Sequence, residues 1–159
     1  MKKLMYLFAV CMLIYACSQG NNSGQDQAAS TDATTSASPA ATSGYDPKRG
    51  EGKYDKVEVG DKLDAAMAAK GETVANLKCA SCHKYSKEKL VGPGWSGVSK
   101  KHKPEWIMNF ITNPDAMIDK DPELQAQLEI CLVRMPNQNL SEEDARNILE
   151  FMRKNDGVQ

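Results

Sequence analysis

The sequence predicts a small all-α domain in which four to five short helices surround one covalently held group, preceded by a disordered linker. Three observations carry this reading. Between residues 61 and 155 apolar side chains recur at helical spacing, and no stretch alternates as a strand would. A Cys-x-x-Cys-His string, Cys79-Ala80-Ser81-Cys82-His83, stands where the first of these helices should end. Residues 18–44 contain Ser, Gly, Asn, Gln, Ala and Thr with one Pro, two Asp and no aromatic. Such a composition cannot bury enough apolar surface to offset the entropy of ordering.

The Cys-x-x-Cys-His spacing is that of covalent c-type haem attachment. Residues i and i+3 on a helical turn lie about 5–6 Å apart on one face, so the Cys79 and Cys82 thiols can add to two vinyl groups along one edge of the macrocycle. His83 then falls beneath the iron, where imidazole is an ordinary axial ligand. Three alternatives compete: a redox disulfide of the thioredoxin kind, half of a zinc site, and chance. The first expects a βαβ setting, and the second lacks another Cys-x-x-Cys.

The 159 residues suffice for one domain with appendages. Lys2 and Lys3 followed by an apolar run from Leu4 to Ala16 give residues 1–17 the layout of a secretory signal. Its end, Leu13-Ile14-Tyr15-Ala16-Cys17, resembles the bacterial lipoprotein box, although Tyr15 is bulkier than usual. That resemblance implies lipid attachment at Cys17. The alternative is an ordinary cleaved signal with a stray Cys. Residues 18–44 form the flexible low-complexity linker, about 30 Å across on average and on the order of 90 Å when taut. A leash of that reach lets a tethered globule sample membrane partners at high effective concentration. A mere stalk is the duller reading.

Of the five cysteines, Cys11 leaves with the signal, Cys17 carries lipid, Cys79 and Cys82 carry haem, and Cys131 is left within an apolar stretch as a buried, unreactive thiol, with a metal or redox role as the alternative. Without Lys2 and Lys3 the chain holds 18 basic and 21 acidic residues, a net charge of −3. No nucleic-acid partner is suggested by that balance. Lys78, Lys84, Lys87, Lys89, Lys100, Lys101 and Lys103 face Glu88 alone within residues 78–103. They either steer an acidic partner or offset the haem carboxylates.

Residues 45–60 form an N-terminal extension in which Pro47, Gly50, Gly52 and Gly60 prevent a helix. Tyr45, Tyr54, Val57 and Val59 allow a short extended piece across the domain proper, residues 61–159. The first helix runs from Asp61 to about Lys78 with Leu63, Ala66, Met67, Val74 and Ala75 inward. Gly71 costs that helix about 1 kcal/mol relative to Ala, which a close helix crossing would justify. After His83 comes a loop to Val98. Pro93 fixes a turn there and offers a carbonyl to the second ring nitrogen of His83, since ligating histidines usually donate that N–H to such a group. Trp95 either packs beside the haem or donates to one of its carboxylates.

Pro104 opens a short helix to Asn113 that buries Trp106, Ile107, Phe110 and Ile111. His102, just before it, is an exposed His and the rival second iron ligand. Asp121-Pro122 opens another helix to about Leu132, which Pro136 ends. Met135 is thereby left on an extended segment, and its soft thioether suits haem iron. Met67, Met108, Met117 and Met152 are the competing methionines. Ser141 starts a near capping box, and Ala145, Ile148, Leu149 and Met152 form the inner stripe of a last helix to Lys154 that packs across the first near Gly71.

Taken in order, helix, Cys-x-x-Cys-His, Gly-Pro loop, short helices, Met-Pro and terminal helix, the chain resembles the class I monohaem cytochromes c over residues 61–155. The resemblance implies one covalent haem c, attachment at Cys79 and Cys82, His83 as proximal ligand with Pro93 as its carbonyl partner, and Met135 as distal ligand. Cys131 so near the Met ligand departs from the family pattern. The implied activity is single-electron transfer between membrane complexes and a terminal reductase or oxidase, with no enzymatic chemistry. Residues 104–152, above all CLVRMPNQNLS, are similar to small lipid-anchored cytochromes found with nitrous-oxide reductases in some bacteria. The expected protein is a monomeric, periplasm-facing lipoprotein with redox-protein partners. A fixed haem subunit of a respiratory complex, or a haem enzyme or gas-binding protein with a labile sixth ligand, are the alternatives. No distal His and Arg pair for peroxide cleavage is visible.

Overall fold

The first and last helices cross at a stripe of small residues, and the rest of the fold hangs from that crossing. A computed structural model describes residues 44–159, so the signal, Cys17 and nearly all of the linker lie outside the described residues. Six helices and no strand occur among the described residues: α1 (Ala65–Lys78), α2 (Val98–Lys101), α3 (Pro104–Thr112), α4 (Pro114–Ile118), α5 (Pro122–Cys131) and α6 (Glu142–Asn155).

Asp64 caps α1, its side chain accepting from the Met67 N–H at 2.9 Å. The helix therefore begins four residues later than the sequence predicts. Its buried face is Ala68, Gly71 and Ala75, whereas Ala66 is exposed. A Cβ on Gly71 would overlap the Asn147 carbonyl of α6. α6 starts where Ser141 Oγ accepts from the Asp144 N–H at 3.0 Å, and it buries Ala145, Ile148, Leu149, Phe151 and Met152.

One charged residue is also fully buried in α6. Glu150 accepts from the Asp64 N–H at 2.9 Å, from Arg146 at 2.7 Å and from Arg153 at 2.7 Å. A buried carboxylate survives only when paired and hydrogen-bonded in this way.

Proline sits at the first turn of α3, α4 and α5, where its missing N–H costs nothing. The short helices α2 and α4 are not among the helices the sequence predicts. α2 is too short for periodicity to reveal, and it is fixed from outside: Asp156 accepts from Gly97 N–H at 2.6 Å and Ser99 N–H at 2.8 Å. α5 ends at Leu132, which adopts the left-handed conformation (φ 60°). That reversal comes four residues before Pro136, so Pro136 does not terminate the helix.

Residues 45–60 lie across α3 and α4. Asn109, wholly buried, accepts from Tyr54 N–H at 2.9 Å and donates to the Arg49 and Tyr54 carbonyls at 3.1 and 3.0 Å. Tyr45 donates its hydroxyl to Asp121, which also caps α5 and accepts from Trp106 Nε1 at 3.0 Å. Burial and the adjacent Asp121 carboxylate push the Tyr45 phenol far above its ordinary range.

Candidate haem site

Cys79 closes α1, its N–H bonding the Ala75 carbonyl at 2.8 Å. Cys82 and His83 then donate back to the Cys79 carbonyl at 3.0 and 2.9 Å, so the motif is one more tight turn. The loop beyond folds back over it, with Val91 and Gly92 N–H on the Cys82 carbonyl at 3.2 and 2.8 Å and Trp95 N–H on the Lys84 carbonyl at 2.9 Å. This return brings the Pro93 carbonyl to 2.8 Å from His83 Nδ1. A carbonyl can only accept, so Nδ1 carries the proton and Nε2 presents its lone pair.

Burial lowers the His83 pKa, and the bond to Pro93 only partly opposes it. Burial thus favours the neutral imidazole, the form that binds iron. Gly92 is required at its place because a Cβ there would overlap the imidazole. Gly92 is not among the predicted site residues; its position before Pro93 in a ligand loop is the signal that identifies it.

Cys79 is buried and Cys82 half-buried, and neither forms a disulfide. Burial pushes the Cys79 thiol up to about 11, with Cys82 adding slightly and Lys78 opposing. The thioredoxin-like alternative lacks its βαβ setting, since no strand occurs among the described residues. Among the described residues no three of His, Cys, Asp and Glu come together as a metal-ion site, which leaves the zinc alternative without a ligand set.

Two adjoining cavities open in front of this turn. His83, Pro93, Phe110, Leu124, Gln127 and Met135 line both. Clefts lined mainly by apolar side chains with a few placed polar groups are what cofactors occupy. Met135 thus faces the same space as His83. The other methionines divide: Met108 and Met117 are fully buried away from it, Met117 accepting from the Glu51 N–H at 2.8 Å, whereas Met152 reaches the larger cavity alone. Nothing in its helical spacing distinguishes Met152 from a core methionine.

Trp95 is buried and packs between His83 (ring centroids 5.7 Å), Tyr85 (5.3 Å) and Phe151 (6.5 Å). Phe110 is not core, as expected from the helix pattern, but half-buried on the cavity wall. His102 is not an exposed histidine either. Its ring stacks on Trp106 at 3.8 Å, only 14% of its side chain is exposed, and burial lowers its pKa. Cys131 is half-buried on the wall of the smaller cavity rather than enclosed in core.

The residues present fit a covalent haem: two thiols one turn apart, a neutral imidazole with its tautomer fixed, and an apolar cleft ending at a thioether. The Cytochrome c family model matches residues 68–156. This chain belongs to the cytochrome c family. Cytochrome c from Rhodothermus marinus is 36% identical, with a TM-score of 0.64 over 66% of this chain and 90% of that one. An engineered form of it, Rma TDE, is 34% identical, with a TM-score of 0.66 over 70% and 98% of the two chains. The same engineered protein bound to a carbene intermediate is 35% identical, with a TM-score of 0.63 over the same shares. No curated protein matches significantly. This cytochrome c has the small class I fold and carries covalently bound haem c.

Proposed function

We propose that this cytochrome c is a lipid-anchored carrier that shuttles single electrons between respiratory membrane complexes and a terminal reductase or oxidase, and performs no substrate chemistry. Bound haem supplies a reversible one-electron couple. Cys79 and Cys82 would hold the macrocycle, and His83 and Met135 would ligate its iron. A His and Met pair raises the potential relative to two imidazoles. The observation that supports this reading is the shared cleft: the His83 imidazole, with its tautomer fixed, and the Met135 thioether border both cavities, so both would be available to one iron.

Val91 and Val133 line the smaller cavity and are also exposed, so the cleft reaches the surface through apolar side chains. Lys84, Lys87 and Lys89 lie next to Val91 in sequence and favour an acidic partner. Some of that positive charge is engaged locally, Lys84 with Glu88 at 2.7 Å and Lys89 with the Ile130 carbonyl at 3.0 Å. Nitrous-oxide reductase is the terminal partner suggested by the sequence of residues 104–152.

Cys17 and residues 18–44 support the anchor and the leash. The experiment is fractionation with electron delivery. Wild-type protein should sediment with membranes and pass electrons to added reductase, while Cys17→Ser should be released in soluble, redox-competent form. Soluble wild type, or reduced protein that no acceptor reoxidises, would contradict the reading.

A further inference from the structure

Met135 lies on a segment that lacks a backbone ladder: among the described residues, none from Val133 to Leu140 makes a backbone-to-backbone hydrogen bond. Side chains hold it instead. Arg134, immediately before the methionine, donates Nε to Asp115 Oδ1 at 2.8 Å and Nη2 to Asp119 Oδ1 at 2.6 Å and the Asp115 carbonyl at 3.2 Å. Asn137, two residues after it, donates Nδ2 to the Thr112 carbonyl at 3.3 Å. The methionine is bracketed between α4 and the last turn of α3.

α4 is pinned in turn from its other face. Asp115 and Asp119 are spaced i, i+4 on one side, and Met117 falls opposite them. Met117 is fully buried and accepts from the Glu51 N–H at 2.8 Å, while Lys120 pairs with Glu51 at 3.1 Å. Gly50, at φ +76°, lies so close that a Cβ would overlap the Met117 thioether.

We propose that Arg134, with Asn137, is a positioning residue that keeps the Met135 thioether on the iron, and that residues 45–60 support it through α4. The inference rests on Met135 being the ligand. A segment without a ladder opens locally, at a cost well below that of global unfolding. The bracket therefore sets how often the thioether leaves, and it gives the extension a task that its sequence did not disclose. Arg134 alone can serve two carboxylates at once, because its planar fork has donors in two directions.

The test uses full-length, haem-loaded protein. Two quantities are followed: the temperature at which the far-red thioether-to-iron band is lost relative to helix melting, and carbon monoxide binding to reduced protein. Arg134→Gln should lose the band well before the helices melt and bind carbon monoxide about two- to tenfold faster, the range expected for two partly exposed ion pairs. D115N/D119N should do the same from the α4 side, and Arg134→Lys should recover only part of the effect. Gly50→Ala should shift the band in the same direction by less.

Band loss and carbon monoxide binding at wild-type values in both Arg134→Gln and D115N/D119N would overturn the inference while leaving the ligand assignment intact. A Gly50→Ala protein with an unshifted band would remove the role given to residues 45–60. A wild-type protein with no thioether band would overturn the ligand assignment and the inference together.

Discussion

Gly71 of α1 backs directly onto the Asn147 carbonyl of α6, so closely that a Cβ on Gly71 would overlap that oxygen and the adjoining peptide carbon. The contact is with backbone, which cannot rotate aside as a side chain would. Gly71→Ala should therefore destabilise the protein by about 1–3 kcal/mol through overpacking, despite the gain of about 1 kcal/mol in helix propensity. Denaturant unfolding of the haem-loaded protein measures this, and unchanged or raised stability would show that the two helices can separate freely.

Much of this crossing was legible beforehand. A glycine inside an otherwise strong helix former, and the apolar stripe Ala145, Ile148, Leu149 and Met152, identify both partners from spacing alone. The Cys79 to His83 turn was legible for the same reason: its chemistry is local in sequence. What the sequence hid was long-range. Asp156 capping α2, Asn109 gripping residues 49–54 and Arg134 reaching α4 join polar residues far apart in the chain with no periodic signal. Leu132 in a left-handed conformation was hidden as well, since nothing marks a leucine as a helix stop.

The haem is expected to stabilise the fold as well as to carry electrons. A domain of this size with short helices has a marginal core, and the cleft lined by Phe110, Leu124 and Met135 needs an apolar occupant. Cys79→Ala with Cys82→Ala should leave an apo chain without a cooperative thermal transition. Calorimetry or far-ultraviolet circular dichroism checks this, and a sharp, native-like melt would refute it.

Acid should destabilise the protein through Glu150. Burial by itself raises the pKa of this carboxyl, but the Asp64 N–H, Arg146 and Arg153 outweigh it and hold the value below the ordinary 4.5. A group depressed in the folded state contributes stability that is complete above its unfolded value and is lost as the pH falls through its folded value. Unfolding free energy should thus decline below about pH 4.5, and Glu150→Gln, already weaker at neutral pH, should show a shallower decline. Equal acid slopes for the two proteins would remove Glu150 from the account.

Gly92→Ala should disturb the proximal side without touching a ligand, because the added methyl must displace the His83 ring. The expected outcome is a larger high-spin fraction in mild denaturant, read from the visible spectrum, with helix content retained. A spectrum matching wild type throughout the titration would mean that the loop can retreat.

Iron clamped between the His83 imidazole and the Met135 thioether is tested most directly by the spectrum of the oxidised protein, wild type against Met135→Ala. A far-red thioether-to-iron band in the wild type that vanishes in Met135→Ala, with a lowered reduction potential, is the predicted result. The same band persisting in Met135→Ala, as it would if Met152 were the ligand, would contradict it.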